Sequence, residues 1–552
     1  MSKVVKNILF IMCDQLRFDY LSCAGHPHLH TPNVDWLAEH GVRFTNAYCQ
    51  SPVCGPSRMS FYTGRYMQSH GATWNKFPLN VSEWTLGDYM RQLNVKTGLV
   101  GKTHMQADTE GMARLGIDPE SVIGVRVAEC GFDPYDRHDG LHCEGPNGRY
   151  DPVPPQYEQY LHDHGYDSEN PWEDWANSAE NDKGEILSGW FMKYAAQPAR
   201  VKEEHSETAY TTDRAMDYIR ECGEEPWCLH LSYIKPHWPY IVPAPYHDMY
   251  GPEHVIPAQR NEEERENANP LYASFMKHRV GQAFSRQGAR EGVIPAYMGL
   301  VKQIDDHIGR LLAFLKESGR LDDTLIVFTS DHGDYLGDHW LGEKDLFHDP
   351  SVKIPLIVYD PSESANTTRG QVRDELVESI DLIPTFIDIL GGKAQPQRLE
   401  GRSLLPFLRD EPIDGWRNVA ISEYDYAILP SGAALEKEPD ECFIIMATTE
   451  RWKYVEPRGF EPILFDKHAD PEELNDLGRD PDYQPVIDEM RSAVDRWARR
   501  QSQRTTVSRE GVLRRRGASA QKGILIGFWD ESELPQEVAA FMKSKGRIPS
   551  NG

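Results

Sequence analysis

Two apolar runs, far apart in the chain, each end on an aspartate, and this repetition constrains the fold more than any other feature. Residues 8–13 run directly into Asp14-Gln15, and residues 325–330 into Asp331-His332-Gly333. Short apolar runs bounded by polar residues read as strands. In an open parallel sheet, ligands gather outside the carboxyl ends of the strands. Two carboxylates brought together there would repel unless a cation lay between them. Gln15 would add a neutral oxygen to such a site, and His332 a nitrogen or a proton donor.

The intervening sequence supports that layout. Helices are expected over 31–40 (a Thr-Pro-Asn start and a Gly41 stop), 54–63, 85–93, 296–318 and 379–390, and further strands over 43–47, 97–100, 227–233 and 354–359. The helix at 296–318 carries Ile304, Ile308, Leu311, Leu312 and Leu315 on one face. Such alternation predicts an α/β fold with a mostly parallel central sheet flanked by helices, occupying residues 1–410. Residues from about 105 to 205 break the rhythm. They are rich in Asp, Glu, His, Trp, Pro and Gly, and read as a surface insertion in which Trp172 and Trp175 pack. Beyond 410 the pattern changes to short antiparallel strands at 419–424, 442–447 and 452–455 and a helix at 485–500, a smaller C-terminal α+β subdomain spanning 411–500. The tail, 501–552, carries Arg514-Arg515-Arg516 and Phe528-Trp529 but few core-forming runs. It is expected to pack on a second copy, giving a homodimer or homotetramer.

Composition narrows the function. The 552-residue chain carries a formal net charge of -27, which argues against nucleic acid or an anionic membrane as the main partner. It would also repel an anionic substrate at long range, so a local cationic pocket is needed to hold one. No run of 18 apolar residues predicts a membrane helix, and residues 8–13 lack a cleavage pattern and read as a first strand, not a signal peptide. The nine cysteines contain no C-x-x-C pair. Such an odd, dispersed set suits a reducing, cytoplasmic setting, with Cys13, Cys23, Cys49, Cys130, Cys143, Cys222, Cys228 and Cys442 serving as packing.

The ninth cysteine stands apart. Cys54-Gly55-Pro56-Ser57-Arg58 is followed by Thr63-Gly64-Arg65. Pro56 suits a first helical turn, which puts Cys54 at the helix N-terminus, where free N–H groups favour an anion. Arg58 falls on the same face one turn later, where it could hold a substrate oxygen. The spacing C-x-P-S-R-x₄-T-G-R resembles the signature of the type I sulfatases of the alkaline phosphatase superfamily, and the order of Asp14-Gln15, Cys54 and Asp331-His332 resembles that family's metal site. The resemblance implies the family's fold, and oxidation of Cys54 to formylglycine by a formylglycine-generating enzyme. The aldehyde hydrate is then the nucleophile: one hydroxyl attacks, and the other loses its proton and expels sulfate by breaking a C–O bond. It further implies one divalent ion on Asp14, Gln15, Asp331, His332 and an oxygen of modified Cys54. Many members have Asp-Asp and Asp-Asn-Gly at the two metal positions. Asp14-Gln15 and Asp331-His332-Gly333 are instead similar to the phosphonate monoester hydrolases and choline sulfatases. Oxygen ligands suit calcium, and the imidazole shifts preference toward manganese.

Lys102-Thr103-His104 follows one predicted strand and Lys235-Pro236-His237 another. Both resemble sulfatase motifs whose Lys and His contact the sulfate and the leaving oxygen, although family members vary at the position of Lys235. Lys344 resembles a third cationic contact. The resemblance assigns His104 to sulfate release and His237 with Lys344 to the leaving oxygen. The expected activity is arylsulfatase-like hydrolysis of a small sulfate ester, with promiscuity toward similar tetrahedral esters. The alternative is a phosphonate monoester hydrolase or phosphodiesterase. Lys102 and His104 favour the sulfatase reading, because phosphonate hydrolases replace both. A non-catalytic binding protein on the same scaffold is disfavoured by the intact Cys54, Arg58 and Asp331.

Overall fold

The computed structural model describes residues 4–140 and 154–549. Eight strands form the large sheet: β1 (Asn7–Asp14), β2 (Val42–Tyr48), β3 (Lys96–Gly101), β4 (Asp133–Arg137), β5 (Trp227–Pro236), β6 (Thr324–Ser330), β7 (Leu356–Tyr359) and β8 (Gln371–Glu378), in the order β8-β2-β7-β6-β1-β5-β3-β4. β1 lies at the centre, parallel to β6 on one side and β5 on the other. β7 runs antiparallel to both its neighbours. The mixed α/β class and mostly parallel sheet expected from the sequence are therefore present.

Alternate residues of a strand face opposite sides, and β1 shows why its run is wholly apolar. Ile8, Phe10 and Met12 enter one core, together with Leu382, Ile383 and Phe386. Leu9, Ile11 and Cys13 enter the other, together with Ile304, Ile308 and Leu311. The helices covering the sheet include α1 (Pro32–His40), α2 (Cys54–Thr63), α3 (Glu207–Cys222), α4 (Ala289–Glu317) and α5 (Leu382–Ile389).

Three differences from the sequence reading have physical causes. Strand β4 lies inside the segment read as a surface insertion, and β8 has no counterpart among the expected strands. Both are the edge strands of the sheet, and edges tolerate polar sequences such as Asp-Pro-Tyr-Asp-Arg, which leave no apolar run to detect. Helix α4 begins at Ala289 rather than 296. Pro295 lies inside it, and burial of Val293 and Ile294 supports the turns before the proline. Part of the 105–205 segment also builds its own core from Tyr157, Leu161, Trp172, Ala176 and Ala179, with Trp175 packed against it.

A second, four-stranded antiparallel sheet comprises β9 (Ala420–Asp425), β10 (Phe443–Thr448), β11 (Trp452–Pro457) and β12 (Ile463–Asp466), with α6 (Gln484–Ala498) against β10 and β11. Both sheets belong to one compact unit, Met1–Ala394 with Leu399–Arg500. A second unit comprises Gln395–Arg398 with Gln501–Gly552. It contains the short helices Arg509–Arg515 and Gln536–Ser544, and it leaves Trp529 90% exposed. Of the cysteines read as packing, Cys143 lies outside the described residues. Cys13, Cys49, Cys130, Cys222, Cys228 and Cys442 are buried, and Cys23 is half-buried. Among the described residues no helix is long and apolar enough to cross a membrane.

Candidate active site

The site is assembled at the carboxyl ends of β1, β3, β5 and β6. Asp14 closes β1, Asp331 follows β6, Lys102 follows β3, and His237 follows β5. Cys13 is paired with Ser330, so the two aspartates sit side by side. Helix α2 begins at Cys54 and is buried throughout. It ends at Gly64 (φ 66°), whose left-handed backbone caps the helix and favours the glycine of Thr63-Gly64-Arg65. Gly101 (φ 98°) lets β3 end against β5, because a Cβ there would meet Ser232 O at 2.0 Å. Gln15 (φ 66°) and His104 (φ 53°) occupy the left-handed region without being glycine. Such conformations cost on the order of 1 kcal/mol each and persist where surrounding contacts hold them.

Arg58 binds the two carboxylates together. Its Nε donates to Asp331 Oδ2 at 2.9 Å, and its Nη2 to Asp14 Oδ2 at 3.3 Å. Nη1 donates to Lys102 O and Ser232 Oγ, both at 2.8 Å. The guanidinium expected to reach a substrate oxygen thus spends these donors on bracing the aspartates. Lys102 Nζ makes a short ion pair with Asp14. Burial alone would raise the Asp14 carboxyl, but Lys102, then His237, Arg58 and Lys344, hold it well below the usual range.

Cys54 Sγ lies 3.1 Å from His332 Nε2, 3.2 Å from Lys344 Nζ and 3.6 Å from Asp14 Oδ1. Burial, and next Asp14, push its thiol up to about 12. Lys344 also donates to Gln15 Oε1 at 3.3 Å and lies 3.4 Å from His237 Nε2. His237 Nδ1 faces Trp238 O at 2.9 Å, and donation there leaves Nε2 as the acceptor for Lys344. Burial holds both His104 and His237 well below the ordinary imidazole range, and Lys102 adds to the effect on each. His104, two residues beyond Lys102, is held by its backbone N–H on Asp139 Oδ1 at 3.2 Å. Lys235 does not join the cluster. Its ammonium turns to Asn177 Oδ1 (2.8 Å) and Pro239 O (3.0 Å), and burial lowers it to about 8.

Asp14, Cys54, Asp331 and His332 each bring a ligand atom within 4.8 Å of the others. His332 Nδ1 faces Gly333 O at 2.9 Å, which frees Nε2 to ligate. Two buried carboxylates and an imidazole oriented in this way fit a divalent cation, as the strand-end aspartates suggested.

Sequence reasoning missed the residues behind these. Gln15 Nε2 donates to Asp334 Oδ2 at 2.6 Å, which fixes the amide with Oε1 toward Lys344. Asn75 Oδ1 accepts the Gly55 N–H at 2.7 Å, and Ser57 Oγ donates to Asp331 O at 2.6 Å. Asp334 was findable, as the residue completing Asp331-His332-Gly333-Asp334. Asn75 and Ser232 carry no local signal.

With this geometry in view, the relatives are informative. Residues 6–392 match the family described as Sulfatase, and residues 337–500 match the one described as N-sulphoglucosamine sulphohydrolase, C-terminal. The chain belongs to the sulfatase family, and it is an enzyme, a hydrolase of that family. It is 33% identical over 523 residues to the multifunctional alkaline phosphatase superfamily protein PehA of Trinickia caryophylli, covering 91% of this chain and 96% of that one. It is 28% identical over 504 residues to an arylsulfatase of Clostridium perfringens (strain 13 / Type A), covering 88% and 93%. The solved phosphonate monoester hydrolase SpPMH from Silicibacter pomeroyi superposes with a TM-score of 0.79 at 27% identity, covering 92% of this chain and 98% of that one.

Proposed function

We propose that this protein hydrolyses small sulfate monoesters, arylsulfatase-like, at a formylglycine made from Cys54 by a formylglycine-generating enzyme. The observation that carries the proposal is the meeting of cations at the start of α2, where Lys344 Nζ stands 3.2 Å from Cys54 Sγ and 3.4 Å from His237 Nε2, and Lys102 is paired with Asp14. An unmodified thiol pushed up to about 12 stays protonated at neutral pH and is a poor nucleophile. Hydrated formylglycine would supply an oxygen nucleophile with its own release step. A divalent ion, calcium or manganese, held by Asp14, Gln15, Asp331, His332 and position 54, would supply Lewis-acid stabilisation of the ester oxygens.

The chain's own groups do the rest. Arg58 keeps the two carboxylates in register. Lys102 offsets charge on the transferred group. Lys344, whose ammonium donates to Gln15 Oε1 and lies 3.2 Å from the position-54 side chain, brings a proton to the leaving oxygen, with His237 Nε2 accepting from it. His104, neutral at physiological pH, takes the proton whose loss releases sulfate. The residues from 501 onward are proposed to join copies into a dimer or tetramer, and the setting to be cytoplasmic.

A second reading, hydrolysis of phosphonate monoesters or phosphodiesters, is favoured by the likeness to SpPMH and by Gln15 and His332. The two differ at the third substituent of the central atom, where sulfate presents a bare oxygen. Lys102 and His104 directed there would bind that oxygen and crowd a carbon group or alkoxide. Parallel assays with 4-nitrophenolate leaving groups test this. The expected result is a higher kcat/KM for the sulfate than for the phenylphosphonate, with the double replacement Lys102→Ala/His104→Ala costing the sulfate more. A large preference for the phosphonate or diester would promote the second reading.

A further inference from the structure

A second group of metal-binding side chains lies apart from the strand-end site. Glu264, His339 and His348 each present a ligand atom, all within 4.8 Å of one another. The two histidines come from the loop that carries Lys344, and Glu264 from the short helix Glu262–Glu266. Their rings stack face to face, 3.7 Å between centroids and 7° apart in plane. His339 Nδ1 pairs with Glu264 Oε1 at 2.5 Å.

Two observations separate this group from an ordinary packed pair. His339 is fully buried, yet its Nε2 has no hydrogen-bond partner, and neither has Glu264 Oε2. Buried polar atoms are normally satisfied, so two orphans at one spot point to something absent. Beside them lies a cavity of about 260 Å³ lined by Glu264, Tyr272, His348 and Glu473, which leaves room for a further ligand such as water. The Tyr335 hydroxyl takes the backbone N–H of His348 at 3.2 Å and faces its Nδ1 at 3.0 Å, leaving Nε2 to ligate.

We propose that Glu264, His339 and His348 form a second divalent-metal site, of zinc type, that ties the loop bearing Lys344 to the Glu262–Glu266 segment. Two imidazoles and one carboxylate with an open fourth position suit zinc better than calcium or magnesium. Tetrahedral bonds of roughly 2.0–2.1 Å need ligand atoms about 3.3 Å apart, so on binding the two rings, 7° from parallel without the ion, would swing out of their stack to direct their nitrogens at it.

The test uses full-length protein with zinc as the sole added metal, reading bound zinc by elemental analysis and the zinc-dependent rise in Tm. Wild type is expected to hold one equivalent more than His348→Phe, whose ring keeps the aromatic packing. Glu264→Gln, which keeps an acceptor for His339 Nδ1, should weaken zinc binding at least tenfold and reduce the zinc-dependent rise in Tm. Asp331→Ala should retain both the zinc equivalent and the Tm rise. Equal zinc in wild type and both substituted forms would overturn the site, as would loss of all zinc in Asp331→Ala.

Discussion

Lys344 Nζ stands 3.2 Å from Cys54 Sγ and also reaches His237 Nε2 at 3.4 Å, so one ammonium links the head of the buried helix to a half-buried imidazole. If that ammonium serves the leaving oxygen, its loss should matter most where the leaving group is poor. Lys344→Ala is expected to lower kcat/KM for an alkyl ester by roughly 10²–10³-fold, and for a 4-nitrophenyl ester by much less. A series of leaving groups of graded pKa measures this as a steeper dependence in the variant. An equal loss across the series would assign Lys344 to binding instead.

Arg58 is expected to be structural as well as functional. Its guanidinium and both its carboxylate partners are fully buried. Removing one member of such a group leaves uncompensated charge and costs roughly 3–5 kcal/mol. Arg58→Leu should therefore unfold at markedly lower denaturant, and Arg58→Lys should rescue little, because one ammonium cannot reproduce the fork to Asp14 and Asp331. Chemical denaturation of the three proteins decides it, and a neutral Arg58→Lys would contradict the bracing role.

Glu423 supplies a pH test away from the site. Burial raises its carboxyl from 4.5 to about 8, and its oxygens accept the Gln68 N–H at 3.1 and 3.2 Å. A carboxyl raised in the folded state contributes stability that is fully present below the unfolded value and is lost as pH climbs through the folded one. Between about pH 4.5 and 8 the unfolded chain releases this proton first, so stability falls across that window. Glu423→Gln keeps an acceptor for Gln68 and removes the titration. Relative to wild type it should gain up to a few kcal/mol by pH 8 and little near pH 4.5, since each tenfold difference in proton affinity between the folded and unfolded chain is worth about 1.4 kcal/mol. A difference that does not vary with pH would show that Glu423 titrates normally.

Much of this was legible in the chain because the chemistry sits where local pattern is strongest. β1 and β6 are central strands buried on both faces, so each is a clean apolar run, and the residue after each run had to be a ligand or a cap. Pro56 announced helix α2, which begins at Cys54 as expected. What escaped detection has no local signature. β4 and β8 are polar because they are edges. The left-handed backbones of Gln15 and His104 are imposed by neighbours. The role of Arg58 as a brace depends on Asp14 and Asp331 meeting in space, so sequence alone directed the guanidinium at the substrate. His348 and Glu264 are 84 residues apart by number, and nothing but the folded loop brings them together.

The central claim is that position 54 works as formylglycine. Mass spectrometry of the peptide carrying residue 54, with sulfate-ester turnover measured on the same preparation, tests it most directly. Preparations made with increasing amounts of a formylglycine-generating enzyme should show activity rising in proportion to the fraction of residue 54 carrying the aldehyde, and Cys54→Ala should show none. Full turnover from protein whose Cys54 is an unmodified thiol would contradict it.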